Sequence, residues 1–305
     1  RENDATAAGG TSLQPTPRTV GFLGALSLLG AAALFLWAQV LGGPDGKLHV
    51  YFLDVDQGDS TLIVTPGGRQ VLIDGGPETE SATGALSEPL AFWDRSLDLV
   101  ALTHLDADHS RGLLEVLDRY DVSAVMVGID DPESSLYPQW QAMLDRNGAQ
   151  VIPVVRGQQI RLEEGVLLEV LHPSSTSFTG SASDANNNGI VLRLVYGEVS
   201  FLLTGDIEAE AERQLLSSSL ELQSRVLKVG HHGSDTSTTP EFLRRVNPEL
   251  AVISAGANNP YGHPDAGVVS RLVEALGEEA LYQTALQGTV EVVTDGSTVE
   301  VRTER

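Results

Sequence analysis

His104, Asp106, Asp108 and His109 fall within six consecutive positions of the stretch ALTHLDADHSRG, residues 101–112. An apolar run, Leu97 and Leu99 to Leu102, leads straight into them. Neutral imidazole and carboxylate together bind zinc, manganese or iron, and without thiolate the residue types do not choose among these. His104 and Asp106 are two apart, so an extended segment or tight loop aims both one way. Asp108 and His109 are adjacent and point apart, which suits a second centre beside the first.

Other polar groups follow apolar runs in the same manner. VLIDGG ends in Asp74, VSFLLTGD in Asp206, and RVLKVGHHGS in His231, His232 and Ser234. LAVISAG is followed by Asn258, Asn259 and His263. Open α/β sheets build their sites just beyond strand C-termini, where side chains from distant positions converge. Two divalent cations would set four positive charges against the carboxylates of Asp106, Asp108 and Asp206 and invert the local field. Asp74, before Gly75-Gly76, suits a carboxylate that orients a ligating histidine. The plainer alternative for the first cluster is a helix start, with Asp108 or Ser110 capping a helix over 110–120. His172, next to Pro173, reads as structural, and His49, within the first strand, as non-functional.

The elements that must hold these groups alternate along the chain. KLHVYFLDV reads as a strand, and STLIVTPGGRQVLIDGG as two strands joined by a Pro-Gly-Gly turn. LDLVALTH is a strand buried on both faces. Leu113, Leu114, Leu117 and Tyr120 have helical spacing. Further strands fit 166–171, 190–196, 199–204, 224–229 and 249–253, with helices over 206–217, 240–246 and 265–275. The tail from Ala280 alternates like a closing antiparallel pair. The pattern predicts a layered α/β domain over 47–305 with partly antiparallel sheets.

Residues 1–18 are polar and read as a disordered tail or loop. Thr19 to Leu41 carry no charged residue, enough to span a bilayer as one transmembrane helix, with Trp37 as an interfacial anchor. A secretory signal peptide is the rival for this stretch. Arg18 precedes it and acidic sequence follows, which places what comes after residue 42 outside the cytoplasm. Residues 42–46, GGPDG, read as a linker. The chain opens with Arg, and the expectation is a piece of a longer protein.

The 305 residues are 41% hydrophobic, enough for a sizeable core. No cysteine is present, which excludes disulfides, thiolate ligands and a thiol nucleophile. The net charge is −23, from 42 acidic and 19 basic residues, and the only lysines are Lys47 and Lys228. Such a surface repels polyanions, and no Lys/Arg run is present to bind DNA non-specifically. A nucleic-acid substrate would need a local basic patch or bound cations.

THLDADH resembles the His-x-His-x-Asp-His signature of the metallo-β-lactamase fold, with Asp106 in place of the second histidine. FLDVDQGDS, VLIDGG, LTHLDADHSRG, NNNGIVLRLVYGEVSFLLTGDIE, VLKVGHHGS and AVISAGANNPYGHP together resemble the hydrolase domain of the ComEC family of DNA-uptake competence proteins, over about residues 47–295. The resemblance implies an αββα sandwich preceded by a membrane span. It implies two divalent metal ions, Zn or Mn, held by His104, Asp106, Asp108, His109, Asp206 and His263, with Asp206 bridging. Asn188 falls near the place of the usual third-motif histidine, which has no clear match. Asp56 stands where glycine is usual, and Ser110-Arg111 where Ile-Gly or Ser-Gly is usual. The implied activity is that of a phosphodiesterase or nuclease on single-stranded DNA during uptake at the cell membrane. By the same resemblance Asp108 sits in the catalytic centre, His231 and His232 are either an extra metal ligand or groups that bind phosphate and protonate the leaving oxygen, and Ser234 and Asn259 line the site. The implied partners are the DNA strand, the membrane through 19–41, and the channel part of a full-length protein. Two alternatives are a metallo-hydrolase of a small ester, lactone or β-lactam, and a non-catalytic module of a membrane DNA channel.

Overall fold

The computed structural model describes residues 27–34, 43–91 and 93–305. The chain divides into two units, Arg1–Gly43 and Pro44–Arg305. In the first, residues 27–34 are helical. The remainder of the expected membrane span and the tail 1–18 lie outside the described residues. Among the described residues no helix is long and apolar enough to cross a membrane.

The second unit is built on two sheets. Strands β1 (Leu48–Phe52), β2 (Thr61–Val64), β3 (Gln70–Ile73), β4 (Ser96–Leu102), β5 (Asp121–Val127) and β6 (Gln150–Pro153) belong to the first, with β14 (Val290–Thr294) and β15 (Val299–Thr303). Its spatial order is β15-β14-β1-β2-β3-β4-β5-β6. The second sheet holds β7 (Gln159–Glu163), β8 (Val166–His172), β9 (Val191–Tyr196), β10 (Val199–Leu203), β11 (Val226–Lys228), β12 (Leu250–Ile253) and β13 (Leu281–Gln283). Its order is β13-β12-β11-β10-β9-β8-β7. Each sheet is part antiparallel and part parallel. β3 to β6 run parallel in the first sheet, and β10 to β13 in the second.

Alternation along the strands decides what each face buries. In β1, Leu48, Val50 and Phe52 point to one side and pack with Leu168, Leu192, Leu194 and Phe201 of the opposite sheet. That layer is the central core. The outer face of the first sheet packs Leu72, Val100 and Leu102 against Leu113, Val116 and Leu117 of the helix Ala107–Arg119 and Trp140 and Leu144 of the helix Tyr137–Asn147. The outer face of the second sheet packs Leu202, Leu227 and Ile253 against the helices Ala209–Leu216, Pro240–Val246 and Ala266–Leu276. The expected layering of helix, sheet, sheet, helix follows. Strands such as β10, covered on both faces, are apolar at nearly every position.

Two local readings are corrected. The helix expected over 110–120 starts at Ala107, so Asp108 and His109 occupy its first turn and are not caps. Asp106 takes the cap position without a side-chain cap bond, and the Ser110 hydroxyl donates to the Asp106 carbonyl at 2.9 Å. In the tail, β14 and β15 form the expected antiparallel pair, but Leu281–Gln283 joins the other sheet, parallel to β12. Three residues are too few for alternation to reveal their partner. At Asp56, φ is 65°, which is the backbone reason for glycine being usual there; aspartate is among the residues that tolerate this region.

Candidate metal centre

The C-terminal ends of β3 and β4 in one sheet, and of β10, β11 and β12 in the other, open onto one edge of the sandwich. The polar groups of the sequence lie in the loops that follow them. β3 leads to Asp74, β4 to His104, and the helix after β4 carries Asp108 and His109 in its first turn. That helix packs tightly on the loop after β3. A Cβ on Gly112 would lie 1.8 Å from the Gly75 carbonyl oxygen, so only glycine allows the approach. β10 leads to Asp206, and the short turn Gly230–Gly233 after β11 carries His231 and His232. Asp74, His231 and His232 all have positive φ, of 60°, 48° and 54°. Residues held in this region cluster where side chains are aimed for function.

Asp108, His109, Asp206 and His232 each offer one ligand atom, and these atoms lie within 4.8 Å of one another. His109 Nε2 is 3.2 Å, and His232 Nε2 3.1 Å, from Asp206 Oδ2. His232 Nε2 is also 3.3 Å from Asp108 Oδ2. The far nitrogens are occupied. His109 Nδ1 lies 2.8 Å from Asp74 Oδ2, and His232 Nδ1 lies 2.9 Å from the Ser254 carbonyl oxygen. Both rings therefore turn Nε2 inward, toward the cluster.

Nε2 of His104, His109 and His232 and Oδ1 of Asp206 are buried with no hydrogen-bond partner. An unsatisfied buried polar atom costs about 1–3 kcal/mol, so several converging on one point fit a cation that bonds them all. The donor set is nitrogen and oxygen only, which suits a divalent ion of zinc or manganese type. His104 and Asp106 stand beside this group. His104 Nε2 lies 3.6 Å from Asp106 Oδ2, and the His104 and His109 rings are 4.2 Å apart, centre to centre. Asp59, Asp74 and His109 also lie close together. In that second group Lys228 Nζ is 2.6 Å from Asp59 Oδ2, and Thr103 donates to both oxygens of Asp74.

The electrostatics follow from this crowding. Burial opposes charge on His109, but the carboxylates of Asp206 and Asp74 outweigh it and hold the imidazole well above its ordinary value. Burial likewise opposes charge on His232, and Asp206 and Asp59 raise it. Burial would raise the Asp206 carboxyl, yet His232 and His109 hold it well below the usual carboxylate range.

The remaining expected residues fall into place around this group. His231 is half-buried, with Nδ1 3.3 Å from Glu208 Oε1 and from Thr236 Oγ1, and Nε2 3.9 Å from Asp206. His263 lies outside the four-residue group, its ring 5.5 Å from that of His231. Burial and the neighbouring His231 and His232 lower its affinity for a proton. Asn259 shapes the His263 loop by donating to the Gly256 and His263 carbonyls and accepting from the amides of Tyr261 and His263. Ser234 Oγ meets Thr236 Oγ1 at 3.0 Å. Asn188 spends its amide on the backbone of Phe178, at 2.7 and 3.0 Å, although it lines a small cavity with His104, Asp130 and Asp131. His172 is fully buried with Nδ1 on the Gly189 carbonyl, and His49 pairs with Glu291 and Asp45.

Sequence reasoning missed Asp59, Lys228 and Glu208. Lys228 offered a signal, as one of two lysines in the chain and the only charge inside the apolar run RVLKVG's strand. Asp59 in DQGDS and Glu208 in TGDIE looked like ordinary loop carboxylates.

A family model described as the Metallo-beta-lactamase superfamily matches residues 53–257. ComE operon protein 3 of Bacillus subtilis (strain 168) is 30% identical over 243 residues, 73% of this chain and 30% of that protein. Competence protein ComA of Neisseria gonorrhoeae is 33% identical over 249 residues, 81% of this chain and 32% of that protein. The chain thus spans about a third of the length of these relatives. Among solved structures, CmlA, a diiron β-hydroxylase from Streptomyces venezuelae, superposes with a TM-score of 0.53 at 14% identity, over 82% of this chain and 54% of that one. That likeness concerns the fold alone.

Proposed function

This chain belongs to the metallo-β-lactamase superfamily, and on that premise we propose that it is a metal-dependent phosphodiesterase acting on single-stranded DNA during competence-related uptake. The observation that carries the reading is the convergence of Asp108, His109, Asp206 and His232 within 4.8 Å, with buried Nε2 atoms left free. The competence proteins among its relatives support the choice of DNA as substrate.

Asp108, His109, Asp206 and His232 would hold one divalent cation, Zn or Mn. His104 and Asp106 would hold a second. A divalent cation supplies Lewis acidity toward a phosphoryl oxygen and acidifies water toward a pKa of about 7. The chain's own residues do the rest. Asp74 and Ser254 fix the ring orientations of His109 and His232. His232 is buried with Nδ1 on the Ser254 carbonyl and Nε2 left free toward the cluster, so it serves as a ligand. His231 is accessible and steadied by Glu208 and Thr236, so its imidazolium delivers the proton to the departing sugar oxygen. General acids of this kind contribute about 10²–10⁴-fold. His263, beside His231 at the mouth, faces the incoming phosphate. The bound cations also answer the charge of −23, since they offer DNA a local positive field on an acidic surface.

The proposal extends to the setting. The hydrolase domain lies on the extracytoplasmic side of the membrane, and the channel part of a longer protein receives the product strand. A second reading keeps the cations and changes the substrate to a small ester, lactone or β-lactam; the strong negative charge favours it, because fold does not fix substrate. Assaying the metal-loaded chain with single-stranded DNA, a phosphodiester dye and nitrocefin separates the two. Cleavage of DNA and the dye supports the proposal, and turnover of nitrocefin alone overturns it.

A further inference from the structure

Asp59 and Lys228 form an ion pair at 2.6 Å with both side chains buried. Burying two charges is costly, and an apolar pair of similar volume stabilises a core as well or better. Stability alone therefore does not explain the pair, and its surroundings suggest what does. Asp59 belongs to the loop between β1 and β2 of the first sheet, and Lys228 is the last residue of β11 in the second. The pair ties the two sheets together directly behind the candidate metal centre.

Each partner also touches segments that carry candidate ligands. The Asp59 amide donates to the Asp108 carbonyl at 3.1 Å, and its carbonyl accepts from Gly76 at 2.8 Å, two residues beyond Asp74. Its Oδ1 is 3.4 Å from His232 Nδ1, and its Oδ2 is 3.9 Å from His109 Nδ1. Gly58 makes this possible: a Cβ there would lie 2.2 Å from the Asp108 carbonyl oxygen. On the other side, the Lys228 carbonyl accepts from Thr204 Oγ1 at 2.8 Å, two residues before Asp206. Lys228 Nζ donates to the Val229 carbonyl at 3.1 Å, at the entry to the His231-His232 turn.

We propose that Asp59 and Lys228 are positioning residues that set the distance between the ligands of the first sheet, Asp108 and His109, and those of the second, Asp206 and His232. The ammonium offsets the charge of the Asp59 carboxylate, which approaches both rings from behind. This rests on the reading of the cluster as a cation site.

The test uses the full chain and Co²⁺ as probe. Asp59→Asn combined with Lys228→Met removes both charges with little change in volume, and circular dichroism with a thermal melt in EDTA checks folding. The expected result is a folded variant that binds Co²⁺ about 10–100-fold more weakly, the range found for groups that orient ligands, with an altered visible absorption spectrum of the bound ion. Should that variant not fold, Asp59→Glu, which keeps the charges and moves the carboxylate by one methylene, is expected to show the same changes in smaller degree. Unchanged affinity and spectrum in whichever variant folds overturns the proposal while leaving the cation site intact. A wild-type chain that binds no Co²⁺ overturns both.

Discussion

His109 Nδ1 lies 2.8 Å from Asp74 Oδ2, and this one contact decides which ring nitrogen faces the cluster. Asp74 is itself held by the Thr103 amide at 2.8 Å and the Thr103 hydroxyl at 2.7 Å. The same hydroxyl lies 3.0 Å from His104 Nδ1. One carboxylate at the end of β3 thus orders two imidazoles, one just beyond β4 and one in the first turn of the helix that follows. Asp74→Ala is expected to weaken cation binding about 10–100-fold while leaving every candidate ligand in place. Titration against a competing chelator measures it.

The adjacent histidines of the turn after β11 have different surroundings and so different expected phenotypes. His231→Gln should leave cation content unchanged and slow DNA cleavage by about 10²–10⁴-fold. The loss should be far smaller with a nitrophenyl phosphodiester, whose phenolate leaves without needing a proton. His232→Ala should lower cation content itself. Elemental analysis alongside the two rate assays distinguishes them.

Cation affinity should rise with pH. The carboxylates of Asp206, Asp74 and Asp59, working against burial, raise His109 and His232 above their ordinary value, so in the metal-free chain both hold protons to higher pH than a free imidazole does. A cation must displace those protons. Calorimetric titration in buffers of different ionisation enthalpy should show proton release on binding and tighter binding at pH 8 than at pH 6. Equal affinity at both values would contradict the electrostatic account.

His172 supplies a stability prediction remote from the chemistry. Burial pushes its imidazole down from 6.5 to about 4. The unfolded chain therefore binds a proton between those values that the folded chain refuses. The stabilisation is fully present above pH 6.5 and is lost as pH falls toward 4, by about 3 kcal/mol in all. Urea unfolding of the wild type and His172→Gln across pH 7.5 to 4.5 should show the flatter profile for the variant.

Much of the site was legible because its residues follow apolar runs, and parallel strands deliver their C-terminal ends to one edge. Asp74, Asp206 and the paired histidines were readable in this way, as was the layered α/β architecture. Which histidine turns inward was not. His232 and His263 are both histidines beyond a strand end, and only the left-handed backbone of the turn after β11 directs one of them onto Asp206. The Asp59–Lys228 pair was hidden for a related reason. Its partners are far apart in the chain, and no local pattern announces a contact between two sheets. β13 escaped because three residues carry no usable period.

The central claim is that Asp206, between the imidazoles of His109 and His232, holds a catalytic cation. Elemental analysis and single-stranded DNA cleavage on the wild type and Asp206→Ala, purified identically, test it most directly. The account predicts at least about one Zn or Mn per chain in the wild type, with metal content and cleavage lost together in the variant. An Asp206→Ala chain that keeps its metal and cuts DNA at the wild-type rate would contradict it.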